Sequence, residues 1–391
     1  MSVPKPLNPF ALRDGVYEAR DFPSNLRERP VPDSGYNVLT RLQSLYDPIL
    51  DYEHLRRGGE KPTWPDGRDF AVCLTHDLDH ISAYSPRQDL RRAWCRMRAR
   101  WRLRGESGPM QSQGGYGAIA RTVALSGTKT LRSLIHRGPD PYHGLDQWRE
   151  LERSHDARST FFILPPTTGP AHDSDHPYHL DDKILYDGEA QTLRSALCDL
   201  HAKGWEIGLH PTWYTFDDSD ALAREKRAIE AAIGDSVVSV RQHFLHYDPR
   251  QTPRAHEAAG LRYDSTLGFN DNVGFRRGTA YPWQIRDLQK NRTTSVLELP
   301  LVVQDTALFR RKGLSVDSEM AFEYIKFLAE RVRDVGGVLT LLWHPSSIAD
   351  DDRWSLYQRT LTHLRDRGAW FGTVREIGEY WRERRPERII E

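Results

Sequence analysis

The sequence has few cysteines, no net charge and no long apolar run, and each of these absences argues against a class of protein. Three cysteines in 391 residues, Cys73, Cys95 and Cys198, show no CxxC spacing and no even-numbered framework, which favours reduced thiols over a disulfide scaffold. The 55 basic and 55 acidic residues cancel, so no overall field attracts nucleic acid. No segment approaches the roughly 20 apolar residues of a membrane span, and the N-terminus lacks a signal-peptide apolar region. We therefore expect a soluble, cytoplasmic protein without a nucleic-acid partner.

The distribution of apolar residues predicts a main domain with an extension before it. Residues 1–65 are rich in Pro, Arg and Asp with little periodicity, which indicates an irregular or partly helical N-terminal extension. Over residues 66–382 short apolar strands alternate with amphipathic helices, and residues 383–391 form a C-terminal tail. This alternation predicts parallel strands with helical crossovers, and hence an α/β barrel or an open doubly wound sheet.

Seven apolar segments are predicted as strands, and several of the segments between them as helices. The predicted strands cover residues 70–75, 159–164, 205–209, 236–244, 296–301, 338–343 and 369–374. Two helices have apolar residues three and four apart and then a glycine, Gly204 or Gly336, just past the last turn. A glycine at that position is typical of a helix C-cap.

An insertion at about residues 85–140 interrupts the alternation. Its segment 87–104, RQDLRRAWCRMRARWRLR, contains eight arginines and one aspartate, with Leu90, Trp94, Met97 and Trp101 at helical spacing. The segment therefore predicts a basic amphipathic helix. Two interpretations stay open: a solvated helix packed on the barrel, or a peripheral contact with anions or a membrane surface through Arg and Trp.

Polar side chains gather after four of the predicted strands, where the sites of α/β sheets and barrels lie. Asp77 and Asp79 are two residues apart and so point the same way from an extended strand. The four groups are Asp77 with Asp79; His210; Arg241 with His243 and His246; and Leu342 with His344. Together they supply what metal-assisted hydrolysis needs: Asp and His ligands, a carboxylate base and a separate histidine acid.

In this order, the segments resemble the motifs of the polysaccharide deacetylases that share the NodB homology domain, the carbohydrate esterase family 4 type. THDLDH is similar to the family's TFDDG motif in its DVD variant, STFFIL to ATFF, and KGWEIGLHPTWY to G-x-E-I-G-x-H. RQHFLHYDP stands where the family has R-x-P-Y or R-x-P-F, and LLWHPSS matches L-x-H. The resemblance runs from about residue 66 to about residue 380. It implies a distorted (β/α) barrel of the deacetylase type, here with an N-terminal extension and a basic helical insertion.

The resemblance implies catalytic and metal-binding roles for five residues. Asp77 would be the general base, and Arg241 would keep it ionised. His344 would protonate the leaving amine. Asp79 and His210 would bind a divalent metal ion, for which zinc is the leading candidate.

Further residues would complete the site by the same resemblance. Leu342 would form the wall for the acetyl methyl group, and the backbone N–H near Phe244 would donate to the oxyanion. In the place of the fourth motif, Asp264 or Asp271 would orient His344.

One departure from the family pattern concerns the third metal ligand. The family places two histidines four residues apart in its second motif, but Tyr214 stands four residues after His210. A zinc site needs about three protein ligands, so the missing one must come from elsewhere. We predict His243, with a second-shell role for it as the alternative. His80, His76 and Tyr214 remain rivals, although His76 faces the other side of an extended strand and is expected to be structural.

The loop at residues 263–283, YDSTLGFNDNVGFRRGTAYPW, is rich in Gly, Asn and aromatic residues. Loops of this length in compact domains are often functional, although an ordinary long connection is the alternative. Arg276, Tyr281 and Trp283 are predicted to line a sugar groove, because aromatic rings stack on pyranose faces and Arg binds anionic groups.

These residues lead us to expect a metal-dependent hydrolase that removes an acetyl group from an N-acetylated sugar. Its substrate would be a soluble, lipid-linked or nucleotide-linked precursor in surface polysaccharide or glycolipid synthesis. Residues 87–104 would hold the protein at the inner membrane surface. Two alternatives stay open: an inactive, deacetylase-like carbohydrate-binding protein, and a hydrolase of a non-carbohydrate linear amide.

Overall fold

This computed structural model describes residues 46–83, 140–166, 172, 175 and 178–384 of the chain. The predicted basic helix at residues 87–104 lies outside the described residues, as do residues 1–45 of the N-terminal extension and the tail from residue 385 onward. Within the described ranges, none of the helices combines the length and apolar character needed to cross a membrane.

The described residues contain twelve strands, ten of which form one sheet. Their bounds are β1 Phe70–Leu78, β2 Thr160–Ile163, β3 Lys183–Tyr186, β4 Glu189–Thr192, β5 Glu206–Leu209, β6 Ser239–Val240, β7 Tyr263–Asp264, β8 Trp283–Asp287, β9 Arg292–Glu298, β10 Leu301–Gln304, β11 Val338–Leu342 and β12 Ala369–Gly372. Strands β3 and β4 form a separate antiparallel hairpin. Each of the seven predicted strands overlaps at least one of these.

Nine α-helices accompany the strands in the described ranges. Their bounds are α1 Ile49–Arg56, α2 Leu145–Ser154, α3 Leu193–Ala202, α4 Ser219–Ile233, α5 Thr252–Ala258, α6 Asp305–Phe309, α7 Ser318–Val335, α8 Asp351–Asp366 and α9 Val374–Arg384. The two predicted helices correspond to α3 and α7. Helix α7 begins where the Asp317 side chain accepts a hydrogen bond from the Met320 N–H, and it ends at left-handed Gly336.

The strands of the large sheet pair in the order β10-β11-β1-β2-β5-β6-β7-β9-β8. Neighbours are parallel except β8, which runs antiparallel to β9. The sheet is curled with helices between successive strands, which confirms the predicted distorted (β/α) barrel. All nine residues of β1 and all five of β11 are buried, so these two strands form the centre of the core.

Strand β1 has different neighbours along its length. It pairs with β11 through residues 71–75 on one side. On the other side, β12 pairs with residues 70–73 and β2 pairs with residues 75–78. On this side of β1, strand β12 therefore lies beside the amino end, and β2 lies beside the carboxyl end.

Two strand predictions differ from the structure in their bounds. The strand predicted at residues 236–244 is only β6, because the chain turns sharply at His243–Leu245, where Phe244 and Leu245 have positive φ. The strand predicted at residues 296–301 is divided between β9 and β10. Pro300 lies at the break, and a proline removes a backbone donor from the ladder.

Residues 46–65 pack at the amino end of the barrel strands. The indole of Trp64 is buried, stacks on Trp370 and Trp381, and donates a hydrogen bond of 3.0 Å to the Gly336 carbonyl. Gly336 lies just before β11. This part of the predicted extension is therefore attached to the end of the barrel opposite to the strand carboxyl ends.

Candidate active site

The predicted polar residues meet at the carboxyl ends of neighbouring strands. Asp77 is the last residue but one of β1, and Asp79 follows that strand directly. His210 follows β5, Arg241 follows β6, and His344 lies two residues beyond β11. Because β11, β1, β2, β5 and β6 are successive neighbours in the sheet, these residues surround one short arc of the barrel mouth.

The Asp79 carboxylate lies at the centre of three imidazoles. Its Oδ1 is 3.2 Å from His210 Nε2 and 3.7 Å from His243 Nε2. Its Oδ2 is 3.6 Å from His344 Nε2. His210 and His243 are almost fully buried, and their rings lie 5.0 Å apart. The site is thus an acidic centre with three Nε2 atoms directed at it.

A hydrogen bond at Nδ1, on the side away from Asp79, fixes each of these imidazole rings. Nδ1 of His210 is 2.6 Å from the Arg241 carbonyl, and Nδ1 of His243 is 2.9 Å from Asp175 Oδ1. Nδ1 of His344 is 2.6 Å from Asp305 Oδ1. Carbonyl and carboxylate oxygens only accept, so each Nδ1 carries a proton, and each Nε2 faces the centre of the site.

The second carboxylate of the first motif has a different environment. Asp77 Oδ1 accepts a hydrogen bond of 3.0 Å from Arg241, and its Oδ2 lies 3.8 Å from His210 Nε2. The guanidinium of Arg241 is fully buried and is fixed by further hydrogen bonds to the Thr75 hydroxyl and to Ser265. Asp77 is therefore a buried carboxylate paired with a cation that has no freedom to move away.

Two pKa values show how strongly these groups interact. Burial alone would raise the pKa of Asp79, but the adjacent imidazoles of His210, His344 and His243 hold that pKa well below its ordinary value. Burial alone would lower the pKa of His344, but Asp305 outweighs it and raises the pKa to about 9. The site therefore favours the ionised form of Asp79 and the protonated form of His344.

The residues present fit a divalent metal ion. Ligand atoms of Asp79, His210 and His243 all lie within 4.8 Å of one another. Asp79 Oδ1 and His243 Nε2 are buried and have no hydrogen-bond partner, which is costly for polar atoms unless something else binds them. Two imidazole nitrogens and one carboxylate oxygen form a donor set that zinc commonly takes, with a fourth position left for water.

Comparisons with known proteins place this geometry in a known fold. No protein-family model and no curated protein sequence matches the chain. A solved structure from Mycobacterium smegmatis, classed as a polysaccharide deacetylase, has a TM-score of 0.53 and 19% identity over 85% of this chain and 98% of its own. One from Pseudomonas aeruginosa PAO1, also classed as a polysaccharide deacetylase, has a TM-score of 0.53 and 14% identity over 84% and 96%. The chain has the fold of the polysaccharide deacetylases.

An allantoinase shares this deacetylase fold to the same degree. The structure of PuuE allantoinase has a TM-score of 0.53 and 15% identity over 92% of this chain and 100% of its own. Because the identities of all these structures are low, they establish the fold and not the reaction.

On this deacetylase fold, the rivals for the third ligand lie elsewhere. His76 is fully buried on the other face of β1, between the Trp343 carbonyl at 2.6 Å and Glu152 at 2.7 Å. Tyr214 is 50% exposed on a short turn after β5, and His80 is partly buried next to Asp79. His243 is the one of these candidates whose ligand atom the described part of the chain brings together with those of Asp79 and His210.

The expectation that Asp264 or Asp271 orients His344 is wrong. Asp305, the first residue of α6, accepts from both the imidazole and the backbone N–H of His344. Asp264 instead lies 3.0 Å from His256 Nδ1 in a buried cluster behind Arg241. Sequence analysis missed both Asp305 and Asp175, although Asp305, like Asp79, is a carboxylate directly after a buried strand.

Three of the predicted substrate-binding residues, Leu342, Phe244 and Trp283, differ in how far they are exposed to solvent. Leu342 is buried and packs with Leu245 and Leu301, whereas Phe244 is 44% exposed at the mouth of the site. Trp283 is partly buried against Tyr247 and Leu267.

The other two residues of the predicted sugar groove are held by backbone carbonyls. Arg276 is buried and donates a hydrogen bond to the Gly268 carbonyl. Tyr281 donates a hydrogen bond of 2.7 Å to the Val335 carbonyl, at the amino end of the barrel. The prediction that Tyr281 lines a groove at the site is therefore wrong.

Proposed function

We propose that this protein is a metal-dependent hydrolase that removes the acetyl group from an N-acetylated sugar. The observation that carries the proposal is that ligand atoms of Asp79, His210 and His243 lie close together. On either side of them lie two fixed ion pairs, Asp77 with Arg241 and His344 with Asp305. The deacetylase fold supports the same reaction class. Zinc is the metal that this donor set favours.

Asp79, His210 and His243 would hold the metal ion in this proposal. A bound divalent ion would polarise the amide carbonyl and lower the pKa of a water molecule toward about 7. Asp77 lies beside His210 and would take the proton from the attacking water. Arg241 keeps the Asp77 carboxylate in place, so its position does not depend on the substrate.

His344 would provide the proton for the leaving amine. It lies across the Asp79 carboxylate from His243, and its hydrogen bonds to Asp305 fix the ring with Nε2 toward the site. An amine leaves an acyl carbon with difficulty unless it is protonated, so a held acid on this side is what amide hydrolysis needs. Protonation of the amine would follow attack on the carbonyl.

A small apolar surface beside His344 would fit the acetyl methyl group. Leu342 lies two residues before His344, and it packs with Leu245 and Leu301. These three leucines come from the end of β11, the turn after β6 and the start of β10. A methyl group placed against them would bring the carbonyl carbon toward Asp77 and the amine toward His344.

Metal analysis and acetate release test this proposal together. Purified protein should hold about one equivalent of zinc or a similar ion and release acetate from N-acetylglucosamine oligomers. His243→Ala should lose the metal, whereas Asp77→Asn should keep it and lose about 10²- to 10⁴-fold in kcat. His201→Ala, on the partly exposed end of α3, is the matched control for histidine loss. Full metal content in His243→Ala, or full activity in Asp77→Asn, would contradict the proposal.

Hydrolysis of a non-carbohydrate amide is the second candidate, because the PuuE allantoinase structure matches as well as the deacetylases do. The same metal, base and acid would serve any acyl C–N bond. Turnover of small linear amides in a substrate panel, with no acetate from acetylated sugars, would favour this candidate. A protein that binds acetylated sugars but holds no metal would instead be a carbohydrate-binding protein without turnover.

We also propose a cytoplasmic location and a precursor substrate, lipid- or nucleotide-linked, at the inner membrane surface. The support is the basic segment at residues 87–104, whose arginines would favour anionic headgroups. Changing Arg96, Arg98 and Arg100 to Glu should reduce sedimentation with anionic liposomes. Unchanged sedimentation would count against membrane contact and would leave the hydrolase proposal intact.

A further inference from the structure

A tyrosine that the proposed function does not use lies close to the candidate metal ligands. Tyr178, in the connection between β2 and β3, is fully buried, and its hydroxyl oxygen accepts a hydrogen bond of 3.0 Å from the Leu164 N–H. Leu164 directly follows β2, at the end of the sheet where the candidate ligands lie. The Tyr178 hydroxyl is therefore placed at the same end of the barrel as the candidate active site.

The register of β1 and β2 places this hydroxyl on the side of Asp79. The last register pair of the two strands is Leu78 with Ile163, so the residues that follow, Asp79 and Leu164, lie side by side. The Ile163 carbonyl accepts a backbone hydrogen bond of 2.9 Å from the residue after β5, and so it faces β5. Because successive residues of a strand direct their backbone groups to opposite neighbours, the Leu164 N–H points the other way, toward β1. The Tyr178 hydroxyl that accepts from this N–H therefore lies between β2 and Asp79.

The Tyr178 hydroxyl has a proton to donate, and none of the residues that the structure describes accepts it. Burial, together with the negative charge of Asp79, raises the pKa of Tyr178 well above its ordinary value, so the phenol stays neutral and keeps this proton. A buried donor without an acceptor is costly. Asp79 Oδ1, in turn, is a buried acceptor to which no described residue donates. The two neighbouring groups therefore have complementary needs.

The chain that follows Tyr178 is attached to a helix. The Leu180 carbonyl accepts a hydrogen bond of 2.7 Å from the Arg194 N–H, and the Asp182 carbonyl accepts one of 2.9 Å from the Leu193 N–H. Both donors lie in the first turn of α3. Leu180 is itself buried. The position of Tyr178 is therefore set by the fold and does not depend on a bound ligand.

The same connection supplies a residue that holds another candidate ligand. Asp175, three residues before Tyr178, accepts a hydrogen bond of 2.9 Å from His243 Nδ1. Two side chains from one connection are thus directed at two of the three candidate ligands, His243 and Asp79. The connection between β2 and β3 therefore supports the ligand cluster in addition to joining two strands.

We propose that Tyr178 is a positioning residue that donates its hydroxyl proton to the Asp79 carboxylate when a metal ion is bound. This inference rests on the metal site of the proposed function and adds a residue to it. A carboxylate has two oxygens with about four lone-pair sites, so Asp79 can bind a metal ion and still accept from Tyr178. The hydrogen bond fixes the orientation of this carboxylate, as the hydrogen bonds at Nδ1 fix the imidazole rings.

The zinc affinity of Tyr178→Phe tests the proposal, because this change removes only the hydroxyl group. Competition with a fluorescent zinc chelator should give a dissociation constant about 10- to 100-fold higher than that of the wild type. The cobalt(II)-substituted variant should also show a shifted visible absorption spectrum, since that spectrum reports the ligand geometry. Tyr186→Phe is the matched control: Tyr186 is also buried, and its hydroxyl donates to Asp199 on α3. The control should keep the zinc affinity and the spectrum of the wild type.

A loss of stability is measured separately from the loss of zinc affinity. Tyr178→Phe deprives the Leu164 N–H of an acceptor, so the melting temperature of the metal-free variant should fall, as it should for Tyr186→Phe. Zinc affinity is therefore measured well below both melting temperatures. If Tyr178→Phe does not fold, 3-fluorotyrosine placed at position 178 keeps the hydroxyl, and its fluorine resonance should move when zinc is added. The same label at position 186 should give an unchanged resonance.

The outcomes separate this inference from the proposed function. Wild-type zinc affinity in Tyr178→Phe, equal weakening in both variants, or an unmoved fluorine resonance at position 178 overturns the inference even if acetate is released. Reduced acetate release at saturating zinc with unchanged zinc affinity also overturns it, because Tyr178 would then act on the substrate and not on Asp79. Weaker zinc binding in Tyr178→Phe alone supports the inference even if no sugar releases acetate, in which case the deacetylase proposal fails alone. A wild-type protein that binds no zinc overturns both.

Discussion

Asp305 holds His344 through both the ring and the backbone of the same residue. Its Oδ1 accepts a hydrogen bond from Nδ1 at 2.6 Å, and its Oδ2 accepts one from the His344 backbone N–H at 3.0 Å. The Ser347 hydroxyl adds a third, to Oδ2 at 2.6 Å. The imidazole can therefore neither flip nor swing away without breaking a buried, charge-assisted contact.

Asp305→Asn should reduce kcat for the proposed deacetylation by about 10- to 100-fold with little change in metal content. The amide removes the charge that keeps His344 oriented, and such supporting carboxylates commonly carry effects of this size. The measurement is acetate release, with metal analysis on the same sample. Asp352→Asn, on the exposed first turn of α8, should behave like the wild type. An unchanged kcat in Asp305→Asn would show that His344 is not the proton donor.

Asp175→Asn should weaken metal binding by about 10- to 100-fold, because His243 then loses the carboxylate that fixes its tautomer and ring orientation. Competition with a fluorescent zinc chelator would measure the dissociation constant. Asp217→Asn, at an exposed position after the turn that carries Trp213, is the control. Wild-type zinc affinity in Asp175→Asn would argue that His243 is not a ligand.

Arg241→Met should lower the free energy of unfolding by about 3–5 kcal/mol, because it leaves the buried Asp77 carboxylate without its cation. The double variant Arg241→Met with Asp77→Asn should recover part of this loss, since no unpaired charge remains. Urea denaturation of the metal-free proteins measures both. Arg262→Met, whose side chain is half exposed, should change stability by less than about 1 kcal/mol. Equal small effects at both arginines would refute the argument.

Glu152→Gln should also be destabilising, by about 1–3 kcal/mol. Glu152 is fully buried: His76 and Tyr357 contact its Oε1, and Ser159 and Trp205 contact its Oε2. A glutamine can direct its NH₂ group only at the Oε1 side, because the Trp205 N–H at the Oε2 side can only donate, and it carries no charge for these donors. Glu150→Gln, two residues away on the exposed side of α2, should cost no more than about 1 kcal/mol. Thermal and urea unfolding of the two variants provide the comparison.

Asp51 should make stability depend on pH. Burial raises its pKa from an ordinary 3.8 to about 7, against the hydrogen bonds that it accepts from Thr279 and Ala280. Between about pH 4 and pH 7 the folded protein keeps this proton and the unfolded chain releases it, so the contribution of Asp51 to stability falls as pH rises. Asn cannot titrate. The unfolding free energy of Asp51→Asn minus that of the wild type should therefore increase over this range and level off above it; a flat difference would contradict the shift.

The barrel and five site residues could be predicted because both follow from local patterns. A strand has a period of two residues, so Asp77 and Asp79 had to point the same way once β1 was recognised. Parallel strands end at one edge of a sheet, so His210, Arg241 and His344 could be expected near them. The geometry brings these residues together as expected.

The supporting carboxylates and the third-ligand geometry depend on information that the local pattern lacks. Asp305 was not predicted as a site residue, because the end of β9 and the start of β10 were predicted as one strand that ends at residue 301, before Asp305. Asp175 lies in a stretch without periodicity and reaches His243 only through the fold. The turn at His243–Leu245 has no glycine or asparagine to mark its left-handed residues, since tertiary packing and not local preference stabilises it.

The pairing of β12 with the amino end of β1 has a consequence for the order in which the barrel assembles. Strand β1 carries Asp77 and precedes Asp79, yet two of its three partners, β11 and β12, are among the last strands of the described chain. During synthesis, the parts of β1 that pair with β11 and β12 stay unpaired until almost the entire barrel has left the ribosome. Contacts so distant in sequence close slowly. The candidate active site would therefore be completed in one late step, and a chain interrupted before β11 would leave β1, which carries Asp77, without its last partners.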